Sequence, residues 1–403
     1  MSEPRDPIPR YREHAGAAIL TQGFRPFFLL AALWAALALG IWILSLEGWL
    51  GVPSVLDPVS WHIHEMLYGF IAAAVAGFLL TAIPNWTGRL PLQGYPLLLL
   101  VAVWLAGRIV MAVPLPGGAV TAAAIDGAFL LLLWLVVIRE ILAGRNWRNL
   151  PMVAALLLLL IGNVVFHLEA VGTVALDGLG WRFGIAVMVM LVGLIGGRIV
   201  PSFTRNWLVK ERPDAPLPAP FGGFDRIVLL VTLAALIVWL IAREIPAAAL
   251  LGIAAGLQLI RLGRWRGWRT GTEPLLLILH VAYAWIPIGL GLLAVAAGHP
   301  AVTETGALHA LTAGAMGTMI LAVMIRATLG HTGRALAAGA GTTAIFGLVT
   351  LGAIARVLAA FWPEATRELL IAGGLTWIAA FLGFCVIYGP MLLKPRVAGT
   401  GTD

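Results

Sequence analysis

Twelve apolar runs, each near the length that crosses a bilayer, constrain this chain more than any other feature. A helix rises about 1.5 Å per residue, so about 20 apolar residues cover a hydrocarbon core of about 30 Å. The runs fall at residues 26–46, 62–83, 95–113, 120–142, 151–171, 181–200, 224–242, 246–262, 274–297, 305–329, 335–361 and 367–393. They lack the polar–apolar alternation of a transmembrane β-barrel. With 61% hydrophobic and 11% charged residues, little is left for a soluble domain between them. The expected fold is an all-α polytopic membrane protein with 12 transmembrane helices. It forms one integral membrane domain over residues 1–403, with tails at 1–25 and 394–403. The longest connector, Pro201–Gly223, contains Arg212-Pro-Asp-Ala-Pro-Leu-Pro-Ala-Pro220 and reads as a stiff loop.

Charge placement gives an orientation. If the N-terminus is cytoplasmic, Arg108, Arg182, Arg243, Arg356 and Arg367 fall at the outer side, and the rest of the 26 Lys and Arg fall inside. Both termini are then expected in the cytoplasm. The net charge of +7 follows from these inner arginines and is not a nucleic-acid footprint; the partner that composition demands is the lipid bilayer. Residues 1–22 lack a cleavable-signal pattern, so the first span is expected to stay as an anchor. The single cysteine, Cys385, excludes an internal disulfide, a Cys-x-x-Cys-His haem attachment and a thiolate cluster. A metal would need histidine, carboxylate or methionine ligands.

Ionisable residues inside a membrane are costly unless they pair or bind something. Trp61-His-Ile-His-Glu-Met-Leu-Tyr-Gly-Phe70 opens the second span with two histidines and a glutamate. Successive helix positions turn by about 100°, so His62 and His64 lie roughly 200° apart and face different neighbours. His167 lies near the outer end of span five, and His309 near that of span ten. Four histidines from three spans at one depth point to a shared metal or haem site, although any one of them reads equally as a hydrogen-bonded bundle residue. Met66 is a candidate soft copper ligand. Arg108, Asp126 and Glu169 read as buried charges that pair with one another or handle protons, with Glu65 beside them. His280 and His331, toward the inner face, form a possible separate site. His299 falls in an outer loop, His14 in the tail, and Arg198 and Arg326 at the inner interface, where they can snorkel.

Spans two and ten echo each other. His64 precedes Thr87-Gly-Arg89 by the same interval as His309 precedes Thr332-Gly-Arg334. Span six ends in Pro201-Ser-Phe-Thr204, like Pro84-Asn-Trp-Thr87, which puts Trp181 at its ligand position. Echoes four spans apart suggest a pseudo-threefold arrangement of four-helix units.

These residues resemble the NnrS family of bacterial inner-membrane proteins. The resemblance rests on Gly23-Phe-Arg-Pro-Phe-Phe28, the stretch Trp61–Phe70, Thr81–Arg89, Phe166-His-Leu-Glu169, Gly197–Trp207, His280-Val-Ala-Tyr-Ala-Trp285 and Arg326–Arg334, in order along nearly the whole chain. It implies a haem- and copper-containing protein tied to nitric oxide metabolism and nitrosative-stress resistance. A more distant similarity is to the haem-copper oxidase core, from which this chain departs: span six has no histidine, and there is no adjacent His-His pair for copper. On this reading haem b and copper sit in the outer half, held by His62, His64, His167 and His309. Glu65, Glu169, Arg108 and Asp126 support them or handle protons. Nitric oxide is the expected small ligand, and a quinol or membrane protein the expected electron donor. Two alternatives stay open: a transporter, and a haem-based nitric oxide binder or sensor without turnover.

Overall fold

The structure, a computed structural model, describes residues 16–242, 245–299 and 302–397. His14, Arg243 and most of both tails lie outside the described residues. Among the described residues, twelve helices are long and apolar enough to cross a membrane: α1 Phe24–Leu46, α2 Pro58–Thr87, α3 Tyr95–Ala112, α4 Gly118–Ala143, α5 Trp147–Ala170, α6 Leu179–Glu211, α7 Gly223–Ile241, α8 Ile245–Arg269, α9 Pro274–Ala296, α10 Glu304–His331, α11 Ala340–Leu358 and α12 Pro363–Leu393. No strand occurs among the described residues. The expected span boundaries therefore hold to within a few residues, with one main exception. Helix α6 runs on through Pro201 to Glu211, where a loop was expected. Pro201 removes one backbone donor but is buried, and Thr204 and Leu208 beyond it are fully buried, so packing keeps the last turns helical.

Helix α1 packs on both α2 and α12, so first and last helices close the bundle. Buried Arg25 fastens that seam by donating to the carbonyls of Leu392 at 2.9 Å and Lys394 at 2.6 Å, at the C-terminus of α12. Helices α2, α6 and α10 touch one another at the centre. Their apolar stretches are 72%, 67% and 67% buried, against 28–44% for most others. Inner helices at intervals of four are what a threefold plan predicts. Helix α9 departs from it, being as buried as α6 and α10.

The echo between α2 and α10 extends to the backbone. In α2 a π-helical stretch, Glu65–Ile71, begins directly after His64; in α10 another, Ala310–Gly317, begins directly after His309. Both helices end at a left-handed glycine, Gly88 at φ 68° and Gly333 at φ 77°. Thr87 and Thr332 cap alike, each donating its hydroxyl to the carbonyl four residues back, at 2.8 and 2.6 Å. Helix α6 has no π stretch, so the likeness is between two helices and not three. π turns widen a helix locally and favour functional positions.

A candidate metal centre and a second histidine cavity

Helix α2 begins where Asp57 accepts hydrogen bonds from the N–H groups of Val59 at 3.0 Å and Ser60 at 3.1 Å, with Pro58 at the first helical position. Slight burial raises the Asp57 carboxyl, but these bonds and the Ser60 hydroxyl outweigh it and hold the group below the usual carboxylate range. One turn on, buried Trp61 donates its indole N–H to the Met111 carbonyl at 2.9 Å and pins this entry to the end of α3. His62 and His64 are then fixed on different faces.

His64 points into a fully buried polar cluster built by four helices. Its Nδ1 lies 2.9 Å from Glu65 Oε1, and its Nε2 lies 3.1 Å from Asp126 Oδ2 on α4 and 3.2 Å from Asn163 Oδ1 on α5. His167, one turn beyond Asn163, brings its Nε2 within 3.2 Å of the same Asp126 oxygen. Arg108 of α3 bridges the two carboxylates, donating to Glu65 Oε2 at 2.6 Å and to Asp126 Oδ1. Gly69, within the π stretch, makes room for it: a methyl group there would overlap the guanidinium. The rings of Tyr68 and Phe166 close the cluster around His64.

This arrangement can take a cation. One ligand atom each from His64, Asp126 and His167 lies within 4.8 Å of the others, and all three residues are buried. Two imidazoles and a carboxylate suit copper, iron or zinc. Two carboxylates face one guanidinium, which leaves one negative charge unmatched. A proton on His64 fills that place when both its ring nitrogens donate to carboxylates; a metal ion would fill it otherwise.

His62 faces the other way, into a cavity between α1, α2, α10, α11 and α12. Trp42, Met66, His309, Thr312, Arg356 and Trp377 are among its walls, and its volume is about 90 Å³. The His62 ring stacks on Trp42 at 4.7 Å, and its Nδ1 is buried without a partner. His309 Nδ1 lies 2.8 Å from the Thr305 carbonyl; donating there, it leaves Nε2 as a free acceptor. Among the described residues no carboxylate lines this cavity.

The four outer histidines thus form two pairs and not one site: His64 with His167, and His62 with His309. Of the supporting residues, Glu65, Arg108 and Asp126 join the first pair. Glu169 does not. Its carboxylate accepts the N–H groups of Gly178, Leu179 and Gly180 at 2.7, 3.2 and 2.9 Å, so it caps the start of α6. His280 and His331 have separate surroundings. His280 Nε2 lies 2.9 Å from the Thr204 hydroxyl, beside Trp265, whereas His331 packs on Phe24. Asn163, Trp42 and Arg356 were not anticipated as site residues. Asn163 had a signal, since it stands four positions before His167 and so shares its helix face.

A search of curated proteins finds no match. The NnrS protein family matches over residues 18–396, nearly the full length and both histidine pairs, so the chain belongs to the NnrS family of membrane proteins.

Proposed function

We propose that this protein binds haem b and copper through its two histidine pairs and acts in nitric oxide metabolism and resistance to nitrosative stress. Membership of the NnrS family suggests the link to nitric oxide. One observation supports the two-cofactor reading most: two histidines two residues apart on α2 each face a histidine from another helix, in separate surroundings. The His64–Asp126–His167 group, with its unmatched negative charge, suits the copper. The donors around the His62–His309 cavity suit haem, for which the walls would have to part: a buried imidazole nitrogen without a partner, a second imidazole with a free acceptor, and Arg356 as a counter-charge for propionates. Bound there, the iron would supply a site for a diatomic gas, and the copper a second redox centre.

The chain's own residues do the rest. Asp126 orients His64 and His167 through one oxygen. Glu65 fixes the His64 ring from the other side, and Arg108 bridges the two carboxylates. An apolar surround admits a small uncharged gas from the lipid and excludes water. Family membership favours an inner-membrane location, the charge asymmetry favours cytoplasmic termini, and electrons would come from a quinol or a membrane partner. Single alanine variants of the histidines test the assignment, read as haem and copper per chain. His62→Ala and His309→Ala should lower haem, and His64→Ala and His167→Ala should lower copper. If His64→Ala and His309→Ala both keep full haem and copper, the ligand assignment is wrong.

A further inference from the structure

At the end of the bundle where Arg89 and Arg334 lie, a chamber opens among α2, α5, α6 and α10. Its volume is about 840 Å³. Arg148, Arg198, Arg326 and His331 line it, with Asn85 and Asn146, and among the described residues no carboxylate does. None of the three arginines forms an ion pair among the described residues. Arg198 and Arg326 instead lie against the rings of Phe221 at 5.6 Å and Phe203 at 4.1 Å.

Arginines at the cytoplasmic end of a membrane helix ordinarily reach outward to headgroups. Here three face one cavity, where their like charges repel; the Glu273 carboxylate offsets Arg326 in part, and an anion in the cavity would meet all three. The chamber also has an apolar depth. Phe28, Phe78, Met152, Ile195, Ile199 and Val323 line both it and a second, almost wholly apolar cavity toward the middle of the bundle. The cationic chamber and the hydrocarbon-like cavity thus share a wall of apolar side chains.

We propose that this chamber binds an amphipathic organic anion, its carboxylate or phosphate on Arg198, Arg326 and Arg148 and its apolar body along Phe28, Phe78 and Met152. Guanidinium groups pair with either head in forked hydrogen bonds. None of the residues of the two histidine pairs lines the chamber, so the proposal stands apart from the metal reading.

Native mass spectrometry of the full chain, released from an uncharged detergent, tests it with dodecanoate and its methyl ester as probes. Dodecanoate should bind one per chain and at least about tenfold tighter than the ester, the worth of one charge-assisted bond. Arg198→Ala with Arg326→Ala should remove that preference, and Ile195→Trp, which fills the apolar floor, should weaken dodecanoate binding. Arg205→Ala, an exposed arginine outside the chamber, should change neither. Competition by phosphatidylglycerol would identify a lipid headgroup as the natural source of the anion, and its failure to compete a free amphiphile; both outcomes support the shared chemistry. Equal binding of acid and ester by the unaltered protein, which needs no variant to fold, would overturn the proposal. So would unchanged dodecanoate affinity in a folded double variant.

Discussion

His64 and His167 meet on a single oxygen. Asp126 Oδ2 lies 3.1 Å from one Nε2 and 3.2 Å from the other, and Asn163 donates to it as well at 2.8 Å. One carboxylate on α4 thus holds α2 and α5 together through their imidazoles. Its other oxygen is held by Arg108, which also holds Glu65. The cluster is a closed unit, and its members should not be separable in their effects.

Arg108→Met tests that unit. It strips the guanidinium from two buried carboxylates and leaves only the His64 side between them, which costs about 3–5 kcal/mol. Thermal unfolding in detergent should show a large loss. Adding Glu65→Gln should recover part of it, because one of the stranded charges goes. A double variant as damaged as the sum of its parts would show that the two side chains act independently.

Glu169 should behave as a cap. Glu169→Ala removes the acceptor for three backbone N–H groups at the start of α6, at a cost of about 1–2 kcal/mol. The melting temperature should drop while metal per folded chain stays constant. Loss of metal at unchanged stability would mean that Glu169 serves the centre directly.

Gly180 sets the approach of α6 to α5. A methyl group there would overlap the Phe166 backbone, one residue before His167, and the Gly180 carbonyl accepts the Tyr68 hydroxyl at 2.8 Å. Gly180→Ala should force the two helices apart, at about 1–3 kcal/mol or more. It should also loosen metal held by His167. Metal affinity and melting temperature, measured on the same sample, should fall together.

The Asp57 cap gives a pH dependence. Its carboxyl is held below the ordinary value of 3.8, so its contribution to stability is present above that value and lost as pH falls through the lower folded one. The group is largely exposed, so the effect is small. Melting curves below about pH 4 should fall less steeply for Asp57→Asn than for the unaltered chain.

Much of this was legible in the sequence. The apolar runs locate all twelve helices, because a bilayer fixes the length of any segment that crosses it. The opposed faces of His62 and His64 follow from helical pitch alone. The pairing of Arg108 with Asp126 follows from the cost of leaving either charge alone in hydrocarbon. Which histidine meets which was not legible, since partners from α5 and α10 depend on how distant helices pack. Nor were the π turns after His64 and His309, which no local residue pattern marks. Glu169 looked like a buried charge in need of a cation; its partners are backbone N–H groups, which a sequence does not display. Pro201 reads as a stop, and only the burial of Leu208 beyond it shows why the helix continues.

The most direct test of the central claim is the optical spectrum of the protein purified in mild detergent from cells supplied with haem and copper, with metal analysis, before and after exposure to nitric oxide. The two-pair account predicts a Soret band and bound copper, with the band shifting on exposure. A colourless, metal-free protein would contradict it, and the His64–Glu65–Arg108–Asp126 cluster would then stand as a self-neutralised brace within the bundle.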